Sequence, residues 1–478
     1  MIHRPPLNRE GREGVSVCMD RWRRALPALL LLVSGCGAQG PIRTPDVAAS
    51  DGPIAVATEA PLPDFAADAD RLLEHLEAFQ VIADGHGGIR FAGTPGYEAS
   101  VDHAAGVLRD LGFSVETPTV HFTGFAELPG TTLDVGDRRF SGPDELHALI
   151  YSPGGEVDGP VEVLSASGCD PEDFDDVERG ALVLTTGGGC LRREQAMNAA
   201  DAGAGALLVG YPGRGPGEIY RPTLIDPVGI SIPVVSVTAD AIGALRSAAG
   251  ARANLSVATE REPATVRNVV AQLGDGPAVV MLGAHLDSVL EGPGLNDNAS
   301  GVAALLEVAR GVAASGLPDD AAVRIGLWGA EELGTVGSRA YVETMADRPI
   351  AYINLDMAGS VRGANLVYSE STAASGSEQI TDAFEAWFAE RGEPSARVDL
   401  GGSSDQFAFV EAGIPTGGLF AGASESGGAA QPSASAAGEA PDPCYHLACD
   451  RLENVDVTRV ALFAEATYAV TFDLLGAR

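Results

Sequence analysis

Val279-Val280-Met281-Leu282-Gly283-Ala284-His285-Leu286-Asp287-Ser288 is an unbroken apolar run that ends in a histidine and an aspartate. A run of this kind, rich in branched aliphatic residues, reads as a strand buried on both faces. The segments after it keep one rhythm. Ala299–Ala314 has the spacing of a helix, Ala322–Trp328 of a strand, Val336–Met345 of a helix and Ile350–Leu355 of a strand. Helices follow at Glu378–Arg391 and Val457–Leu475. Such alternation predicts an α/β fold with a mostly parallel, mixed sheet flanked by helices on both faces. Ligands of such sheets sit at the carboxyl ends of the strands.

Upstream of this region the pattern changes twice. Residues 63–120 look helical, with Leu72, Leu73, Leu76 and Phe79, then Ala105, Val107, Leu108 and Leu111, at helical spacing. Gly85-His86-Gly87-Gly88 and Ala92-Gly93-Thr94-Pro95-Gly96 read as loop between them. Residues 125–260 carry short β-type runs, Val161–Leu164, Ala181–Thr185, Ala206–Val209 and Pro233–Val237, with one helical stretch at Arg192–Ala202. This predicts a separate β-rich α+β insert. Residues 421–441, rich in Ala, Gly and Ser, read as a loop.

The chain has 478 residues, 45% of them hydrophobic, and a net charge of −35. So acidic a surface repels nucleic acid, and DNA or RNA partners are set aside. All 31 basic residues are arginine, which excludes a lysine Schiff base and a phosphate-binding loop ending in Gly-Lys-Ser/Thr.

The N-terminus reads as an address. Arg21, Arg23 and Arg24 precede the apolar run Ala25–Val33, which is shorter than the ~20 residues that span a bilayer. Val33-Ser34-Gly35-Cys36 resembles the lipobox of bacterial lipoproteins, in which the cysteine becomes the lipidated first residue. Met19 offers an alternative start. Residues 1–35 are accordingly read as a lipoprotein signal peptide and 36–62 as a flexible tether. The expected location is the cell envelope of an exporting bacterium, through a lipid on Cys36, or the secreted fraction. Cysteine usage agrees with export. Beyond Cys18 and Cys36 four remain, and their spacing suggests Cys169 with Cys190 and Cys444 with Cys449, while pairings between distant segments stay open.

Four motifs fall at predicted strand ends. His285 leaves a strand with Asp287 two residues on, placed to hold its second ring nitrogen. Asp297, in Gly294-Leu295-Asn296-Asp297-Asn298, opens a helix with both carboxylate oxygens available to bridge two metals. Glu331 and Glu332, after Trp328-Gly329-Ala330, can divide metal binding from proton transfer. Asp356 ends the strand Asn354-Leu355-Asp356. Far downstream, Cys444-Tyr445-His446-Leu447-Ala448-Cys449 offers one more histidine. Each signal alone is commoner as a cap, a turn or a solvated face. The set His285, Asp297, Glu332, Asp356 and His446 suits zinc, which takes nitrogen and oxygen donors.

Together these segments resemble the co-catalytic dizinc aminopeptidases, family 28 of the metallopeptidases. Residues 74–120 look like the family's N-terminal segment, 125–260 like its protease-associated insert and 264–475 like its catalytic domain. The resemblance implies a zinc-peptidase fold divided as 63–124 and 261–478 for catalysis and 125–260 for the insert. It implies two zinc ions, one held by His285, Asp297 and Asp356, the other by Asp297, Glu332 and His446. Asp287 would support His285, Glu331 would act as general base, and Tyr445 would help to stabilise the oxyanion. The Asp297–Asn298 peptide would be cis. Met357, Gly402 and Phe420 match positions lining an apolar pocket for the first residue. Gly168-Cys169-Asp170 and Gly189-Cys190 match a disulfide pair. The implied substrates are peptides with a free N-terminus. One departure stands out: Gly402-Ser403-Ser404-Asp405 occurs where the family often has Gly-Arg-Ser-Asp.

Two other readings compete. A carboxypeptidase on the same dizinc core needs a cation for the substrate carboxylate, and beside the motifs the sequence offers Arg339 alone. A peptidase-like binding protein would lack a complete ligand set, whereas every position here carries a competent residue. Nothing in the sequence bears on oligomeric state.

Overall fold

The computed structural model describes residues 65–476 apart from 187–188, 212–214, 216–218, 220, 370–373 and 424–438. The signal peptide, Cys36, the tether and most of the loop expected at 421–441 lie outside the described residues. Among the described residues no helix is long and apolar enough to cross a membrane.

The apolar run around Met281 is a strand, Ala278–His285, with every residue buried. It is a central strand of an eight-stranded sheet. The order is Ser114–Glu116, Val269–Leu273, Ala321–Trp328, Ala278–His285, Ala351–Asp356, Thr416–Phe420, Asn365–Tyr368 and Ser395–Val398. The four central strands, from Ala321–Trp328 to Thr416–Phe420, run parallel, and the strands flanking them are antiparallel to them. Their carboxyl ends therefore open on one edge of the sheet, and the expected motifs leave the sheet along that edge.

Helices cover both faces. Gly301–Ser315, Ser377–Arg391 and Val457–Gly476 pack on one side with the N-terminal helices Ala69–Gly85 and Pro95–Asp110. On the other side Met281, Trp328 and Tyr352 meet Phe409 and Ile414, with the Tyr352 and Phe409 rings stacked 3.6 Å apart. The Trp328 indole donates to the Tyr352 hydroxyl at 2.9 Å, which in turn donates to Asn354 at 2.7 Å.

Four expectations need correction. The helical reading of 63–120 runs too far: the second helix stops at Asp110, and Ser114–Glu116 is an edge strand of the main sheet. Thr94-Pro95, read as loop, starts that helix, because the Thr94 side chain caps it and proline suits its first turn. The helix expected from Ala299 begins at Gly301, after a wide turn over Leu295–Ser300. The insert has a second helix, Ala239–Ser247, capped by Thr238.

The insert leaves and returns through a two-stranded antiparallel ribbon, Thr119–Glu127 against Thr259–Arg267. Beyond it lies a second eight-stranded mixed sheet, from Arg138–Ser141 at one edge to Leu146–Ala148 at the other. Cys169 and Cys190 are joined by a disulfide, and so are Cys444 and Cys449.

Candidate metal centre

Six side chains converge at the carboxyl edge of the main sheet. His285 is the last residue of its strand and Asp356 of the next, while Glu331 and Glu332 leave the strand on the other side. Asp297 comes from the wide turn before Gly301–Ser315, and His446 from the disulfide-closed loop. The Asp297–Asn298 peptide is cis.

The two oxygens of Asp297 face different histidines. Oδ1 lies 3.1 Å from His285 Nε2, and Oδ2 lies 3.2 Å from His446 Nε2. Asp356 Oδ1 completes the first group at 3.3 Å from His285 Nε2, and Glu332 Oε2 the second at 3.2 Å from His446 Nε2. Ligands about 2.0–2.1 Å from a tetrahedral zinc stand roughly 3.3 Å apart, so the two histidine-to-carboxylate distances in each group match neighbouring ligands of such a site. Donor atoms of His285, Asp297 and Glu332 all fall within 4.8 Å of one another.

The electrostatics call for a cation. Burial pushes the Glu332 carboxyl up to about 7 and that of Glu331 well above the carboxylate range. Burial likewise raises Asp405, next to Ser404, to about 7. Asp356 Oδ1 and Glu332 Oε1 are buried with no hydrogen-bond partner. Ionised carboxylates accumulate in an interior only when paired or bound to metal. On spacing, donor chemistry and charge, these residues fit zinc.

Asp287 differs from expectation. Its Oδ1 is 3.7 Å from His285 Nδ1, beyond hydrogen-bond length. The carboxylate instead accepts the backbone amides of Glu331 at 3.1 Å and Glu332 at 3.4 Å. It therefore fixes the paired glutamates as well as facing the histidine ring. Ser404 Oγ donates to Asp356 Oδ2 at 2.7 Å.

Sequence reasoning passed over two groups that hold the ligand loops. Asp450, buried just after Cys449, accepts the amides of Asn296 and Asp297. Arg90 is fully buried and donates to the carbonyls of Leu286 at 2.6 Å, Gly294 at 2.7 Å and Pro293 at 2.9 Å. It thereby ties the loop after His285 to the loop before Asp297. An arginine set between Ile89 and Phe91-Ala92 was the available signal.

Met357 and Phe420 pack with Leu366, Tyr368 and Val398, and Tyr445 lies against this cluster. The Tyr445 ring stacks on that of His446 with centroids 3.8 Å apart. Gly402 abuts the Phe407 ring, and Ser403 is exposed in a turn, its hydroxyl donating to the Leu400 carbonyl. Arg339, the cation a carboxypeptidase would need, donates to Glu411 and Thr335.

Known proteins match this chain in sequence and in fold. Peptidase family M28 matches residues 268–471, and the PA domain matches 157–245. A probable lipoprotein aminopeptidase of Mycobacterium tuberculosis, LpqL, is 38% identical over 84% of each chain. The chain belongs to peptidase family M28. An aminopeptidase of Pseudomonas aeruginosa is 33% identical over 94% of this chain and 90% of its own. Among solved structures, an aminopeptidase from Aneurinibacillus sp. strain AM-1 superposes with a TM-score of 0.67 at 24% identity, covering 85% of this chain and 93% of its own. A zinc aminopeptidase from Bacillus subtilis gives 0.65 at 24% identity, covering 86% and 96%. These likenesses carry the fold.

Proposed function

We propose that this M28 peptidase is an exported, lipid-anchored aminopeptidase that holds two zinc ions and removes apolar first residues from peptides. The division of Asp297 between two histidines carries the reading, since one carboxylate facing two donor groups is what a bridged metal pair requires. One zinc would take His285, Asp297 and Asp356, the other Asp297, Glu332 and His446. Bound zinc would lower the pKa of water and polarise the scissile carbonyl.

The chain's own groups do the rest. Glu331, whose carboxyl burial raises well above its ordinary value, takes a proton from the attacking water and passes it to the leaving amine. Tyr445 supports the developing oxyanion with its hydroxyl. Met357 and Phe420, with Gly402 at the rim, receive the first side chain. The surrounding acids receive the free N-terminal ammonium. Catalysis is assigned to 63–124 and 261–478, and 125–260 to the insert. Anchoring rests on Val33–Cys36 and on the lipoprotein relative. Mass spectrometry of the mature N-terminus checks it, and an unmodified Cys36 would remove it.

The test of activity is hydrolysis of leucine p-nitroanilide and its N-acetyl form by the mature protein, with zinc and after chelation. Cleavage of the free amine alone, lost on chelation and restored by zinc, is the expected result. Equal cleavage of both forms, or indifference to chelation, would overturn the reading.

A further inference from the structure

Arg221–Ile225 in the insert touches both ligand loops. Arg221 is buried, and its guanidinium pairs with Glu291 at 2.5 Å and with Glu127 at 3.2 Å. Glu291 precedes Gly292, where a Cβ would collide with the Leu447 carbonyl of the His446 loop. At its other end the segment reaches the paired glutamates. Gly334, with φ +109°, lies so close to Ile225 that a Cβ would fall 2.9 Å from the Ile225 Cα. The Gly334 amide closes the turn onto the Glu331 carbonyl at 2.7 Å.

The segment is held firmly. Ile150 donates to the Pro222 carbonyl at 3.1 Å and Leu224 to the Ile150 carbonyl at 3.0 Å. Arg193 donates to the carbonyls of Asp226 at 2.5 Å and Val228 at 2.6 Å. Ile225 itself sits at φ +68°, a conformation a β-branched residue adopts only when its surroundings impose it. The other non-glycine residues with such a φ among those described are Tyr151, Ala330, Thr335, Met357 and His446. Four of these flank the metal-ligand motifs, and Tyr151 adjoins Ile150, which bonds this segment.

Strand order says what the segment faces. The apolar cluster of Met357, Phe420 and Tyr368 belongs to the ends of Ala351–Asp356, Thr416–Phe420 and Asn365–Tyr368. The insert contacts the turn after Ala321–Trp328, on the other side of His285. From the Thr416–Phe420 strand to the Ala321–Trp328 strand is three strand spacings, about 15 Å. An extended peptide advances roughly 3.3 Å per residue. A substrate with its first side chain over Phe420 and its scissile bond at the centre meets the insert about two residues beyond that bond.

Resting on the aminopeptidase reading, we propose that Pro222–Ile225 is the wall of the leaving-peptide side, with Ile225 limiting the size of the substrate residues after the scissile bond. The insert thereby restricts the enzyme to short or unfolded N-termini.

The test compares kcat/KM of the zinc-loaded mature protein on Leu-Gly-Gly and Leu-Gly-Trp, each normalised to L-leucinamide, whose leaving group is ammonia. Ile225→Gly accepts the positive φ and removes the side chain; Ile225→Asn also tolerates that φ and serves if the glycine variant does not fold. The expected result is a rise in the Leu-Gly-Trp to Leu-Gly-Gly ratio of roughly tenfold. An unchanged ratio, or a parallel change in both tripeptides, would overturn the wall while leaving the aminopeptidase standing. Failure of the unsubstituted protein to cleave any of the three would remove both.

Discussion

Asp450 accepts the backbone amide of Asp297 at 3.0 Å through one carboxylate oxygen and that of Asn296 at 2.8 Å through the other. The residue between the two histidines is thus set by its main chain, from a position just past the Cys444–Cys449 disulfide. Asp450→Asn turns one acceptor into a donor facing an N–H. Zinc affinity should fall roughly 10- to 100-fold, read by competition against a chelating dye, with near-ultraviolet circular dichroism unchanged. Wild-type affinity would show that Asp297 holds its position unaided.

Glu331→Gln keeps the shape of the proposed base and removes its proton chemistry. Turnover of leucine p-nitroanilide should drop by about 10²- to 10⁴-fold, with zinc content retained. A loss of zinc in step with activity would make Glu331 a ligand instead.

Arg90→Met should be costly to the fold. The variant strands three carbonyls that Arg90 now satisfies, and each buried unsatisfied group costs about 1–3 kcal/mol. A loss of roughly 3–5 kcal/mol is expected in urea unfolding. A loss below about 1 kcal/mol would mean that the loops close without it.

His75 gives a pH signature away from the metal centre. Burial lowers its pKa from 6.5 to about 4, with His103 adding repulsion against an attraction from Glu307. The two imidazole rings lie 6.1 Å apart. Because the unfolded chain binds the proton more tightly, this contribution is fully present above pH 6.5 and is lost as pH falls toward 4. His75→Gln should therefore gain on the wild type by on the order of 1–2 kcal/mol between pH 7.5 and 4.5. Parallel stability curves for the two proteins would contradict it.

What could be read in advance follows from how each residue acts. His285, Glu332 and Asp356 stand at or just past the ends of buried, mainly apolar strands, so the strand–helix alternation places them on one edge. Asp297 and His446 are legible only as local motifs, a loop opening a helix and a short cysteine-bounded stretch, since no periodicity governs either. Arg90 and Asp450 act through main-chain contacts made across long separations, and a one-dimensional pattern carries no trace of those. The bonds of Asp287 to the Glu331 and Glu332 amides depend on the neighbouring strand, which the local sequence around Asp287 does not show.

The first and last described helices are packed together: the Phe65 ring stacks on Tyr468 at 4.3 Å, and the Ala67 amide donates to Glu465 at 3.1 Å. Val457–Gly476 packs in turn on Gly301–Ser315 and Ser377–Arg391, so the first and last described helices share one layer on the main sheet. Neither can be drawn away without uncovering the other.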